Sequence, residues 1–164
     1  MDVFDYAMKM EMDGKAYYEE HAAKTELPEL RQILMSLAAD EQKHYEIFKA
    51  LRDGKQADFP ADRDTKILAD VRNVFEKLRS QGGDFRFPGE VVEVWRKAQQ
   101  VEKDSEDFYR GKAGEVESEH QKQMLHRIAD EEHKHWTTIE NVIRFLNHPK
   151  SWLEDAEWYD LESR

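Results

Sequence analysis

The chain has 164 residues, no cysteine and a formal net charge of −11. That length buries a single-domain core without covalent staples, and the missing cysteine excludes disulfides, zinc ribbons, iron–sulfur clusters and cysteine nucleophiles. The acidic balance opposes contact with phosphate backbones, and no apolar run of about 18 residues offers a membrane span, so neither a nucleic acid nor a membrane is an expected partner.

Glycine and proline are few, and good helix formers are plentiful, so the chain should be helical. The first predicted helix runs from about Asp2 to Lys24, with Phe4, Ala7, Met8, Tyr18 and Ala22 on one stripe. The second runs from about Pro28 to Arg52, with Ile33, Leu34, Leu37, Phe48 and Leu51 inward. About 35 residues then intervene, too many for a plain loop in a compact domain. Within them Ile67, Leu68, Val71, Val74, Phe75 and Leu78 recur at helical spacing. They predict a connecting helix that ends in a turn at Gly82-Gly83. The third main helix starts near Pro88, with Val91, Val94, Trp95, Ala98 and Tyr109 as its stripe. The fourth runs from about Glu117 to Asn147, with Leu125, Ile128, Ile139, Val142 and Phe145 inward, and Pro149 follows its end. The remaining tail, 149–164, carries Trp152, Leu153, Trp158 and Tyr159, and is expected to pack on the bundle or on a partner subunit. The expected fold is all-α: a four-helix bundle over residues 1–148, built from two helix hairpins joined by a long helical crossover at about 53–88.

A repeat with a constant offset of 91 residues runs through both hairpins. Phe4 maps onto Trp95, Ala7 onto Ala98, Glu11 onto Glu102 and Tyr18 onto Tyr109. In the second half of the unit, Leu34 maps onto Leu125, Leu37 onto Ile128, Glu41 onto Glu132, His44 onto His135 and Phe48 onto Ile139. The repeat preserves polar residues inside apolar stripes. Glu11 follows Met8 by three and precedes Tyr18 by seven, and Glu41 follows Leu37 by four. His44 precedes Phe48 by four, and the second copy repeats the arrangement. Residues three, four or seven apart share a helical face, so all six point into the core. A buried carboxylate without a partner costs several kcal/mol, so four of them in one core call for cations.

Glu-x-x-His sets a carboxylate and an imidazole one turn apart. Two such pairs on facing helices, with a Glu from each remaining helix, form a two-metal site. The predicted ligands are Glu11, Glu41, His44, Glu102, Glu132 and His135. Four carboxylates and two neutral imidazoles balance two divalent ions, which makes a neutral cluster for a low-dielectric core. Oxygen and imidazole ligands suit iron or manganese, with zinc as a substitute. A third pair, Glu117-x-x-His120, has Glu26 and Glu29 as its offset mates and reads as incidental. Asp40 and Glu131 immediately precede the ligand glutamates. They either accept a hydrogen bond from a ligand histidine on another helix or lie on a solvated face. Tyr18 and Tyr109 either hydrogen-bond a ligand carboxylate, assist electron transfer or simply fill the core. His21, His126, His133 and His148 have no matching constellation.

The motifs Glu11-Met-Asp-Gly-Lys-Ala-Tyr-Tyr18, Asp40-Glu-Gln-Lys-His44, Glu102-Lys-Asp-Ser-Glu-Asp-Phe-Tyr109 and Glu131-Glu-His-Lys-His135 resemble the ferritin-like superfamily, and within it the rubrerythrin branch. The resemblance covers about residues 1–148. It implies a di-iron carboxylate bundle, dimeric or larger, with Glu41 and Glu132 bridging the two ions. The activities it implies are peroxide reduction, ferrous oxidation and, in ferritins, storage. Rubrerythrins carry a cysteine-rich rubredoxin domain that this chain lacks, so its electrons would come from a separate, rubredoxin-like donor. The extra Glu that rubrerythrins place one turn after the third-helix ligand is Ser105 here, which implies a symmetric site. The haem-binding Met of bacterioferritins is Gln42 here, so no haem is expected.

Three function classes follow. The leading one is an oxidoreductase that reduces hydrogen peroxide or oxygen, using ferrous iron or an external donor, as a homodimer or small homo-oligomer. The others are a ferroxidase feeding iron storage and a non-catalytic metal-binding bundle. No signal peptide opens the chain, so the expected location is the cytoplasm.

Overall fold

The computed structural model describes residues 2–56, 59 and 64–155. Among the described residues every regular element is a helix: α1 (Val3–Lys24), α2 (Pro28–Arg52), α3 (Ile67–Gln81), α4 (Gly89–Ala113), α5 (Glu119–Asn147) and α6 (Pro149–Glu154). The third and fourth main helices of the repeat are thus α4 and α5, and the connecting helix is α3. Local chemistry sets the ends. The Asp2 side chain accepts the Phe4 N–H at 2.7 Å and caps α1. Pro28 opens α2, where a missing N–H costs nothing. The Ser118 side chain accepts the Gln121 N–H at 3.3 Å and caps α5. Gly82 and Gly83 take φ of 66° and 129° after α3, conformations that side chains resist. None of the described helices is long and apolar enough to cross a membrane.

The short links make two intimate hairpins, α1 with α2 and α4 with α5, and the crossover lets α4 lie along α1 and α5 along α2. Phe4, Leu51, Ala113 and Met124 share one apolar cluster. The start of α1, the end of α2, the end of α4 and the start of α5 therefore meet at one end of the bundle. Tyr18, Leu30, Trp95 and Val142 belong to a second cluster toward the other end. The polar residues of the repeat lie between the two. The expected stripes of α1, α2 and α5 are all buried. On α4 the buried valine is Val92, while Val91 and Val94 are only partly covered. α3 packs over α2 and α5. There Phe75 meets Phe145 at 5.6 Å and Trp152 of α6 edge-on at 5.5 Å between ring centroids. Trp152 and Leu153 are buried, whereas Trp158 and Tyr159 lie outside the described residues.

Candidate metal centre

Each main helix delivers its share of the site at mid-bundle. α1 brings Glu11 and α4 brings Glu102, while α2 brings Glu41 and His44 and α5 brings Glu132 and His135. None of the six is more than 4% exposed. Their oxygen and nitrogen atoms form two groups, Glu11–Glu41–His44–Glu132 and Glu41–Glu102–Glu132–His135, each with its atoms within 4.8 Å of one another. Glu41 and Glu132 belong to both groups, so each can touch two ions. His44 Nδ1 lies 2.9 Å from Glu132 Oε1 and 3.4 Å from Glu11 Oε2. His135 Nδ1 lies 3.3 Å from an oxygen of both Glu41 and Glu102. The two rings stand 5.9 Å apart and nearly parallel.

A second layer holds these groups, and it repeats across the bundle. His44 Nε2 donates to Glu131 Oε1 at 2.8 Å, and His135 Nε2 donates to Asp40 Oδ2 at 2.9 Å. These bonds keep a proton on Nε2 and turn Nδ1 inward, where it can serve as a ligand atom once deprotonated. Asp40 and Glu131 are themselves buried, at 6% and 3% exposure. Tyr109 Oη donates to Glu11 Oε1 at 2.8 Å, and Tyr18 Oη donates to Glu102 Oε1. Each hairpin thus supplies the partners for the other hairpin's buried glutamate and histidine.

Burial pushes the Glu41 and Glu132 carboxyls well above their ordinary range, and the facing carboxylates push them further. Burial opposes charge on His44 and His135 as well, but the carboxylates around them prevail and raise both imidazoles well above 6.5. Glu11 and Glu102 are also desolvated, yet the imidazolium beside each holds it below the ordinary value. Desolvation of Asp40 is likewise outweighed by its bonds from His135 and Thr65, which lower its carboxyl. Burial and nearby carboxylates keep the Tyr18 and Tyr109 phenols protonated far above their usual range.

Five buried atoms of the six residues lack a well-directed hydrogen bond: Glu11 Oε2, Glu41 Oε1, His44 Nδ1, Glu102 Oε2 and Glu132 Oε1, although His44 Nδ1 and Glu132 Oε1 stand 2.9 Å apart. Native interiors seldom leave such atoms orphaned. Five inward ligand atoms, on oxygens and imidazoles that can give up their protons, fit divalent ions. The incidental pair gathers no such cluster, although His120 Nε2 is also buried without a hydrogen-bond partner. Glu117 is exposed and precedes the Ser118 cap, His120 sits in the first turn of α5, and neither joins a metal-holding group among the described residues. His133 is half exposed and pairs with buried Glu106 at 3.1 Å.

Two residues escaped the sequence reading. Gly14 lets Glu41 approach α1, since a Cβ there would lie 3.1 Å from Glu41 Oε2. Its repeat mate is the small Ser105, a signal that was present in the sequence. Thr65, in the crossover, bonds both Asp40 and Glu131. It has no repeat mate that could have marked it.

Comparison with curated proteins returns no match. A solved structure, a hypothetical protein from Pyrococcus furiosus, shares the fold with a TM-score of 0.66 over 88% of each chain at 20% sequence identity. The family description "ferritin-like domain" matches residues 1–144, a span that holds all four main helices up to the last turn of α5 and every residue of the candidate site. A bundle with this duplicated carboxylate and histidine core, matched over that length, belongs to the ferritin-like domain family.

Proposed function

We propose that the chain is a di-iron carboxylate oxidoreductase of rubrerythrin type. It reduces hydrogen peroxide or oxygen with electrons from ferrous iron or from a separate donor protein. The observation that carries this reading is the reciprocal set of four glutamates and two histidines, fully buried, with five atoms that lack a well-directed hydrogen bond. Two iron ions held by these six residues would supply one electron each, the number that turns one peroxide into two waters.

The chain's own groups prepare that chemistry. Asp40 and Glu131 hold both imidazoles with Nδ1 inward. The Tyr18 and Tyr109 hydroxyls fix the rotamers of Glu102 and Glu11, and because both phenols stay protonated they act as donors. Burial of all six residues restricts the oxidant to a small molecule. Without cysteine, the chain has no rubredoxin-type centre of its own. Re-reduction would therefore fall to a rubredoxin-like partner, and the assembly would be a dimer or small oligomer.

Anaerobic protein loaded with two ferrous ions and mixed with peroxide in a stopped-flow spectrometer tests this. The expected result is oxidation of two irons per peroxide by a small assembly. Uptake of hundreds of ions into a large shell would mean storage, and inert ferrous protein would mean a non-catalytic bundle.

A further inference from the structure

One crossover residue connects both halves of the site. Thr65 is buried just ahead of α3, outside the repeated hairpins. Its hydroxyl accepts the Ile67 N–H at 3.2 Å and donates to Asp40 Oδ2. The bond from Ile67 occupies an oxygen lone pair and leaves the hydroxyl hydrogen for Asp40. The Thr65 backbone N–H donates to Glu131 Oε2 at 2.6 Å. Because Asp40 and Glu131 receive Nε2 of His135 and His44, an unbroken path runs His135–Asp40–Thr65–Glu131–His44. Lys43 holds the other Asp40 oxygen at 3.0 Å.

We infer that Thr65 is the positioning residue for both imidazoles, acting on His135 through its side chain and on His44 through its backbone. The two halves of a symmetric site thereby answer to different atoms of one residue that touches neither ligand. Thr65→Val removes the hydroxyl, keeps the shape and keeps the N–H. Asp40 then keeps Lys43 but loses the Thr65 hydroxyl, so its hold on His135 loosens, while Glu131 and His44 keep theirs. Thr65→Ser preserves every bond.

The experiment has two arms, and the second alone rests on the di-iron reading. In the metal-free protein, nitrogen–proton NMR follows hydrogen exchange at the two Nε2–H groups. Thr65→Val should speed exchange at His135 by about tenfold, leave His44 unchanged, and be rescued by Thr65→Ser. In the second arm, anaerobic titration with ferrous iron should show one of two ions weakened about tenfold in Thr65→Val and the other unaffected. Unchanged exchange at His135, or equal changes at both histidines with a lower melting temperature, would overturn the proposal. A wild-type protein that binds no pair of ions would overturn the proposed function, and the metal-free arm would still decide the role of Thr65.

Discussion

Metal loading should displace protons, and the site sets how many. In the metal-free bundle, four groups hold protons beyond their ordinary range: His44, His135, Glu41 and Glu132. Glu11 and Glu102 stay ionised against the imidazoliums. The metal-free cluster is therefore neutral, with two cations, two anions and two neutral acids. A cluster loaded as proposed would be neutral too, with four carboxylates and two neutral imidazoles around two divalent ions. Passing from one to the other releases a proton from each of these groups that still holds one, so up to four protons should leave per pair of ions in mild acid. Anaerobic titration with ferrous iron in weakly buffered indicator solution measures the release directly. Calorimetry in buffers of different ionisation enthalpy checks it. An exposed patch of already ionised carboxylates would release almost none. A count of one or fewer per pair would show that the six residues are not a buried, proton-filled site.

The same shifts set the pH dependence of the metal-free fold. Raised folded-state values on His44, His135, Glu41 and Glu132 mean that the folded form keeps protons the unfolded form has lost. Metal-free stability should thus fall as pH rises through those values, by about 1.4 kcal/mol per pH unit for every proton retained. The lowered values of Glu11 and Glu102 act oppositely, and their contribution is lost as pH falls below about 4.5. Melting curves of metal-free protein should accordingly peak in mild acid, whereas iron-loaded protein should melt higher and lack the decline toward alkaline pH. Glu41→Ala and Glu132→Ala should each abolish tight binding of the ion pair, because each residue belongs to both metal-holding groups. Glu117→Ala and His120→Ala should bind it normally, and equal losses from both sets would refute the assignment. Gly14→Ala puts a Cβ 3.1 Å from Glu41 Oε2 and makes that carboxylate yield. Iron binding should weaken severalfold while the metal-free protein melts no lower, since alanine favours a helix interior by about 0.5–1 kcal/mol over glycine.

The main helices and the six inward residues were legible because duplication wrote them twice. A polar residue on an apolar stripe is ambiguous once, but Glu41 and Glu132, like His44 and His135, recur at one offset in the same register. Asp40 and Glu131 were legible only as alternatives. Their positions place them beside the inward glutamates Glu41 and Glu132, but the crossing of α2 against α5 decides that each reaches the other helix's histidine. On α4, valines at 91, 92 and 94 crowd neighbouring positions, and periodicity alone could not choose Val92 as the buried one. The six residues of α6 make too few turns to show a period, and Pro149 reads equally as a stop for α5 and a start for α6. Thr65 was out of reach. Its role depends on where Thr65 itself comes to lie against Asp40 of α2 and Glu131 of α5, a tertiary outcome that local pattern does not carry.

The most direct test of the central claim is anomalous diffraction at the iron edge from crystals of iron-loaded protein. Two peaks about 3.5–4 Å apart, enclosed by Glu11, Glu41, His44, Glu102, Glu132 and His135, are the predicted result. No peak among these residues, or iron bound only at the surface, would contradict it.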